Sequence, residues 1–221
     1  MRLLAGYSKF QRFVHFSAWV PLVWMLLDWA RGELTFNPIQ AATQRTGLFA
    51  ITFLVLSLAC TPLNTYLRIR EAIKVRRALG LYAFMYAAIH LSIFAILDYQ
   101  LDFSLIGEIL FEKPYAFVGF LSFLILLALA FTSFKTWMKK LGKQWKMLHR
   151  LVYLAGILVV IHFFWAVKGN LTSLSGDILA PLLYGLVVVI LLLLRWKPVK
   201  NFLMGLRKAR PAKRGEVLPA D

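Results

Sequence analysis

Apolar residues gather along this chain in six long blocks, Phe13–Ala30, Thr46–Leu63, Ala78–Leu97, Pro114–Phe134, Met147–Val167 and Ile178–Arg195, with short polar stretches between them. Each block approaches the ~20 residues that a helix needs to cross a bilayer. A single block of this kind could be the core helix of a soluble domain. Six in 221 residues leave no amphipathic helices to cover them. Strands are excluded as well, because the blocks lack the in-out alternation of a membrane barrel. The pattern predicts an all-α membrane protein, a six-transmembrane-helix bundle over residues 1–200. A basic tail over 201–221 ends in proline and small residues and reads as a frayed extension.

Composition agrees. The chain is 60% hydrophobic and 16% charged, with a mean hydropathy of +0.69, whereas soluble domains carry about 25% charged residues. The net charge of +16 would suit nucleic acid if it lay on one soluble face. Six crossings instead sort the basic residues. Of the 26 Lys and Arg, only Arg31, Arg45, Lys113 and Lys168 fall on one side of the membrane. By the positive-inside rule, both termini are cytoplasmic. The basic loops then face anionic lipid, and a nucleic-acid partner is not required. The first block is too long for the apolar part of a signal peptide and lacks a small-residue cleavage site, so it reads as a retained helix. One cysteine, Cys60, can form neither an internal disulfide nor a thiolate cluster.

The longest outer loops are 31–45 and 98–113. Within the second, Leu105, Ile106, Ile109 and Leu110 recur at helical spacing over Ser104–Glu112, as in a short helix lying in the interface. Pro114 suits the first turn of the helix that follows. Tryptophans gather near block ends, where the headgroup layer favours them.

The candidate chemistry lies in the histidines. His90, His149 and His162 sit within or at the ends of two blocks, and an ionisable ring at membrane depth is a candidate functional group. The third and fifth blocks run parallel. His90 follows Arg76, and His162 follows His149, by about 20 Å of helix at ~1.5 Å per residue. His90 and His162 therefore share one depth, and Arg76 and His149 another. The separation from His149 to His162 leaves the two rings roughly 140° apart on an ideal helix, so the fifth helix must distort or present them differently. Two imidazoles at matched depth can ligate one haem iron from both sides. Alternatively, each can hydrogen-bond a backbone or hydroxyl neighbour. A zinc set is not completed, because no carboxylate or thiolate shares that depth. Without a Cys-x-x-Cys-His motif, any haem is held non-covalently. His149 has a bland alternative as an interfacial residue beside Lys146 and Arg150, and His15 reads as structural.

The stretches RRALGLYAFMYAAIHL (Arg76–Leu91) and FTSFKTWMKKLGKQWKMLHRLVYLAGILVVIHFFWAV (Phe131–Val167), with CTPL at Cys60–Leu63 and EKPY at Glu112–Tyr115, resemble the MsrQ (YedZ) family of the ferric-reductase-like transmembrane group. The resemblance implies a bacterial inner-membrane subunit that binds haem b, one or two, and FMN. It would take electrons from the quinone pool or a cytoplasmic flavin reductase. These would pass to MsrP, a periplasmic molybdenum-containing partner that reduces methionine sulfoxide in oxidised periplasmic proteins. The resemblance assigns iron ligation to His90, His149 and His162. Where the wider group has a further histidine, this chain has Arg76. A guanidinium stays protonated and is a poor iron ligand, so Arg76 is a candidate partner for a haem propionate or a flavin phosphate. No G-x-G-x-x-G fingerprint is present, so a nicotinamide site is not expected.

Two other classes compete. A histidine-relay transporter would usually carry matched, broken helices, but Pro21, Pro62 and Pro181 do not form pairs. A structural anchor could dock a basic partner on the acidic outer loops, which carry Glu33, Asp98, Asp102, Glu108, Glu112 and Asp177.

Overall fold

A computed structural model describes residues 6–167 and 178–209, and among them every regular element is helical. In chain order these are α1 Lys9–Ser17, α2 Val20–Arg31, α3 Pro38–Leu67, α4 Arg70–Ser92, α5 Phe103–Glu112, α6 Pro114–Phe131, α7 Lys135–Leu141, α8 Lys143–Leu148, α9 Leu151–Ala166, α10 Leu179–Leu193 and α11 Lys197–Ala209. A π-helical segment, Ile93–Asp98, continues α4.

Two helical hairpins form the centre. α3 packs along α4, and α6 packs along α9. α10 lies against α9 and α3, and α1 and α2 close the side of α4 and α3. The core gathers Phe53, Leu54, Leu79, Ala83, Tyr86, Leu126 and Ala155 from α3, α4, α6 and α9. Alanines at such positions let helix backbones approach, which is how membrane helices associate when burial from water contributes little. Tyr86 is fully buried and donates its hydroxyl to the carbonyl of Ala18, at the break between α1 and α2.

Among the described residues, five segments are long and apolar enough to cross a membrane: Lys9–Arg31, Pro38–Leu67, Arg70–Asp98, Pro114–Phe131 and Lys143–Ala166. The protein is thus a multi-pass all-α membrane protein. The expected sixth block, Ile178–Arg195, is the 15-residue α10. At ~1.5 Å per residue it spans about 22 Å, short of a ~30 Å hydrocarbon core. It meets the length only together with the start of α11, from which it is bent by 77°.

Three expectations change. The loop over 31–45 shrinks because α3 begins at Pro38, capped by the Asn37 side chain, which accepts from the Gln40 N–H at 3.1 Å. Pro38 at the first helical position and Asn37 before it are ordinary start signals. The polar residues Gln40 to Arg45 hid that turn from a hydropathy reading. The residues after Arg195 do not fray at once, since α11 forms over Lys197–Ala209. Its Val199, Phe202, Leu203 and Leu206 recur at helical spacing, which a chain of random composition would not hold. Finally, the first and fifth crossings are both interrupted, at Ala18–Trp19 and at His149–Arg150. The expected interfacial helix over Ser104–Glu112 is present as α5, capped by the Asp102 carboxylate on the N–H groups of Ser104 and Leu105.

Candidate functional site

α4 carries His90 near its end, and α9 carries His162 near its own. The two rings meet in the bundle, 6.1 Å apart between centroids and with planes 83° apart. His90 Nδ1 lies 2.8 Å from the carbonyl of Thr43 in α3. His162 Nδ1 lies 2.8 Å from the carbonyl of Tyr115 in α6. A carbonyl only accepts, so each Nδ1 carries the proton and each Nε2 keeps its lone pair. The two alternatives for these rings are therefore not exclusive: the backbone bond is made, and it leaves the other nitrogen for a metal. A ligating histidine almost always donates its second ring N–H in this way, which fixes the tautomer and raises ligand basicity.

The spacing is informative. With metal–nitrogen bonds of about 2.0–2.1 Å and about 1.1 Å from nitrogen to ring centre, two imidazoles flanking one iron have centres roughly 6.3 Å apart. The observed 6.1 Å matches that spacing and also falls within the roughly 4.5–7 Å of an ordinary edge-on ring contact. The rings are also seated against glycine backbone, at Gly47 for His90 and at Gly119 for His162. No cluster of three or more His, Cys, Asp or Glu that could hold a bare metal ion occurs among the described residues. The donor set thus suits an iron whose remaining ligands come from a porphyrin.

His149 is elsewhere. It forms the cap of α8 at the break before α9. The fifth crossing is thus broken between its two histidines, at His149–Arg150. Its Nδ1 donates to the Trp145 carbonyl at 3.1 Å, and its ring stacks on the Trp145 indole at 4.0 Å. His149 Nε2 is buried and without a hydrogen-bond partner. The Leu129 carbonyl, which accepts from Ser133 Oγ at 2.7 Å, lies close to the same ring. A buried ring nitrogen with an unused lone pair has the chemistry of a ligand atom.

Arg76 is half-buried at the same end, where its charge is felt by His149, Cys60 and Arg195. Neither Arg76 nor Arg195 has an acid partner among the described residues; the ion pairs are Arg31–Glu33, Arg45–Asp28 and Lys74–Glu71. His15 is held by Tyr82, with Nδ1 2.9 Å from the hydroxyl, consistent with a structural role.

Sequence reasoning missed Thr43, Gly47, Tyr115 and Gly119. Carbonyl and histidine are separated by the same 47 residues in both hairpins, a regularity visible only once the bonds are known, because every residue carries a carbonyl.

The comparisons with known proteins agree with this architecture. The ferric reductase like transmembrane component family matches residues 46–160, which span Gly47, His90, Gly119 and His149. A relative from Pectobacterium atrosepticum, the protein-methionine-sulfoxide reductase heme-binding subunit MsrQ, is 40% identical over 204 residues. The alignment covers 91% of this chain and 99% of the relative. The chain belongs to the MsrQ family. A second relative of the same name, from Pectobacterium carotovorum subsp. carotovorum, is 39% identical with the same coverage. Membership fits the geometry: the MsrQ relatives are named for haem, and the paired imidazoles are the donor set a haem iron takes.

Proposed function

We propose that the protein is the electron-transfer subunit of a methionine sulfoxide reductase system in a bacterial inner membrane. It would hold haem b between His90 and His162. The observation that carries this reading is the imidazole pair, 6.1 Å apart, each with Nδ1 committed to a carbonyl. A haem held by these residues would supply one-electron redox chemistry at its iron. With His90 and His162 both given to the iron, no ligand position would be left for substrate, and the subunit would conduct rather than catalyse. The Thr43 and Tyr115 carbonyls orient both ligands and fix the proton on Nδ1, and the surrounding helices exclude water.

His149 Nε2 is the candidate ligand for a second haem towards the cytoplasmic side. Arg76 would neutralise a propionate there, or the phosphate of FMN. Donors in this reading are the quinone pool or a cytoplasmic flavin reductase, and the acceptor is a periplasmic MsrP-type molybdenum reductase. The basic loops and α11 face anionic lipid on the cytoplasmic side, where both termini lie.

Haem per polypeptide, measured as pyridine haemochrome on the purified protein, tests the reading. The protein should be red with a b-type spectrum. His90→Ala and His162→Ala should each remove the same low-spin component, and the double variant should remove no more than either one. A colourless protein after haem supplementation, or spectra indifferent to both substitutions, would refute the ligand pair.

A further inference from the structure

We infer that Gly47 and Gly119 are positioning residues for the two imidazoles. Each keeps open the one face of a helical carbonyl that a histidine from the neighbouring helix must reach. The inference rests on the haem reading above and extends it beyond the ligands.

In an α-helix the carbonyl of residue i meets the N–H of residue i+4, and every Cα–Cβ bond tilts towards the N-terminus. A side chain at i+4 therefore leans over the carbonyl of i from outside, the direction from which a second donor must come. Thr43 and Gly47 form such a pair in α3, as do Tyr115 and Gly119 in α6. The second donors are His90 Nδ1 and His162 Nδ1, both at 2.8 Å. A Cβ built on Gly119 would lie 2.6 Å from His162 Nδ1 and 2.7 Å from its Cε1. Built on Gly47, it would lie 3.2 Å from the same two atoms of His90. The first distance is impossible without moving the ring, and the second forces it to give way slightly.

Other helical glycines differ. A Cβ on Gly156 or Gly185 would meet apolar side chains, Leu58 and Val160, and nothing lies within 4 Å of one on Gly107 or Gly205. Among the described glycines, only Gly47 and Gly119 stand against imidazoles. The two constellations also share one register, since Thr43, Gly47 and His90 map onto Tyr115, Gly119 and His162 by a single constant shift along the chain. The α3–α4 and α6–α9 hairpins are thus two copies of one device for holding an axial ligand. The α6–α9 copy is the tighter.

The test compares the full haem-loaded chain with Gly119→Ala, Gly47→Ala and the control Gly205→Ala. Electron paramagnetic resonance and the midpoint potential report on the iron. Histidine 15N shifts of the haem-free protein report on the ring tautomers. Gly119→Ala should lose the low-spin six-coordinate signal and the Nδ1–H tautomer of His162. Gly47→Ala should keep the low-spin signal with altered g-values and a raised potential, because a weakened Nδ1–H bond leaves a less basic ligand. Gly205→Ala should match the wild type. If Gly119→Ala does not fold, the milder Gly47→Ala carries the test. Unchanged g-values, potential and tautomers in the alanine variants would overturn the inference. A wild-type chain that takes up no haem would overturn the haem reading instead, and the nitrogen shifts would still judge the glycines.

Discussion

Arg195 donates from Nη2 to the carbonyl of Leu58, the main-chain acceptor in α3 that Pro62 leaves without its helical N–H. Proline inside a helix removes one ladder bond, and within a bilayer no water replaces it. The guanidinium also donates to the Leu191 carbonyl at 3.1 Å and lies over the Tyr153 ring at 5.3 Å. One arginine therefore repairs α3 and ties α10 to it. Arg195→Met should destabilise the protein by about 1–3 kcal/mol, the cost of an unpaired buried carbonyl. Pro62→Ala, which restores the N–H, should recover most of that loss in the double variant. Thermal unfolding in one detergent measures the cycle, and purely additive effects would contradict the pairing.

Asp28 on α2 and Arg45 on α3 form an ion pair whose carboxylate side chain is 12% exposed and whose guanidinium is 35% exposed. Breaking it from one side leaves a poorly solvated charge. Asp28→Asn should cost about 1–3 kcal/mol, below the figure for a fully buried pair because Arg45 reaches solvent. The loss should exceed that of the double variant Asp28→Asn/Arg45→Gln. Because the bond to His90 is made by the Thr43 main-chain carbonyl and not by the Asp28–Arg45 pair, the outer haem spectrum should change little, which separates stability from ligation.

Tyr86 reaches the Ala18 carbonyl at 2.7 Å from a fully buried position. Tyr86→Phe removes that bond while preserving ring contacts with Phe49 and Phe53 at 5.4 and 5.3 Å. Interhelical hydrogen bonds of this kind contribute about 0.6 kcal/mol and at most about 1.7. A loss in that range, with haem content retained, is expected from unfolding and haemochrome measurements together.

His149→Ala should leave the low-spin signal of the His90–His162 pair intact and lower the haem-to-protein ratio from two to one. Arg76→Gln should weaken retention of that second group without changing its axial ligand, since the charge at position 76 acts through neutralisation. A ratio unaffected by His149→Ala would remove the second haem from the reading.

α11 should lie along the cytoplasmic membrane surface. It turns 77° from α10, leaves Phe202 and Leu206 exposed at 66% and 56%, and carries Lys197 and Lys200. Nitroxide labels at 202 and 203 should be buried in lipid and one at 201 accessible to aqueous relaxant. The contrast should sharpen in vesicles rich in anionic phospholipid. Equal accessibility at all three positions would contradict the orientation.

The composition and the long apolar blocks determined the class of this protein, because only helices satisfy their own backbone bonds inside a bilayer and about 20 apolar residues suffice to announce one. The matched spacing of His90 after Arg76 and His162 after His149 also made the histidine pair legible, since helical rise converts residue number into depth. Depth is not rotation, however. Whether His90 and His162 faced each other depended on how α4 and α9 were turned, and packing against α3 and α6 decided that. The same holds for the Thr43 and Tyr115 carbonyls, the glycines beneath the rings, the break at His149 and the repair of Pro62 by Arg195. Each is a contact between segments far apart in the chain, where local pattern carries no signal and only the meeting of two backbones determines which atoms find partners.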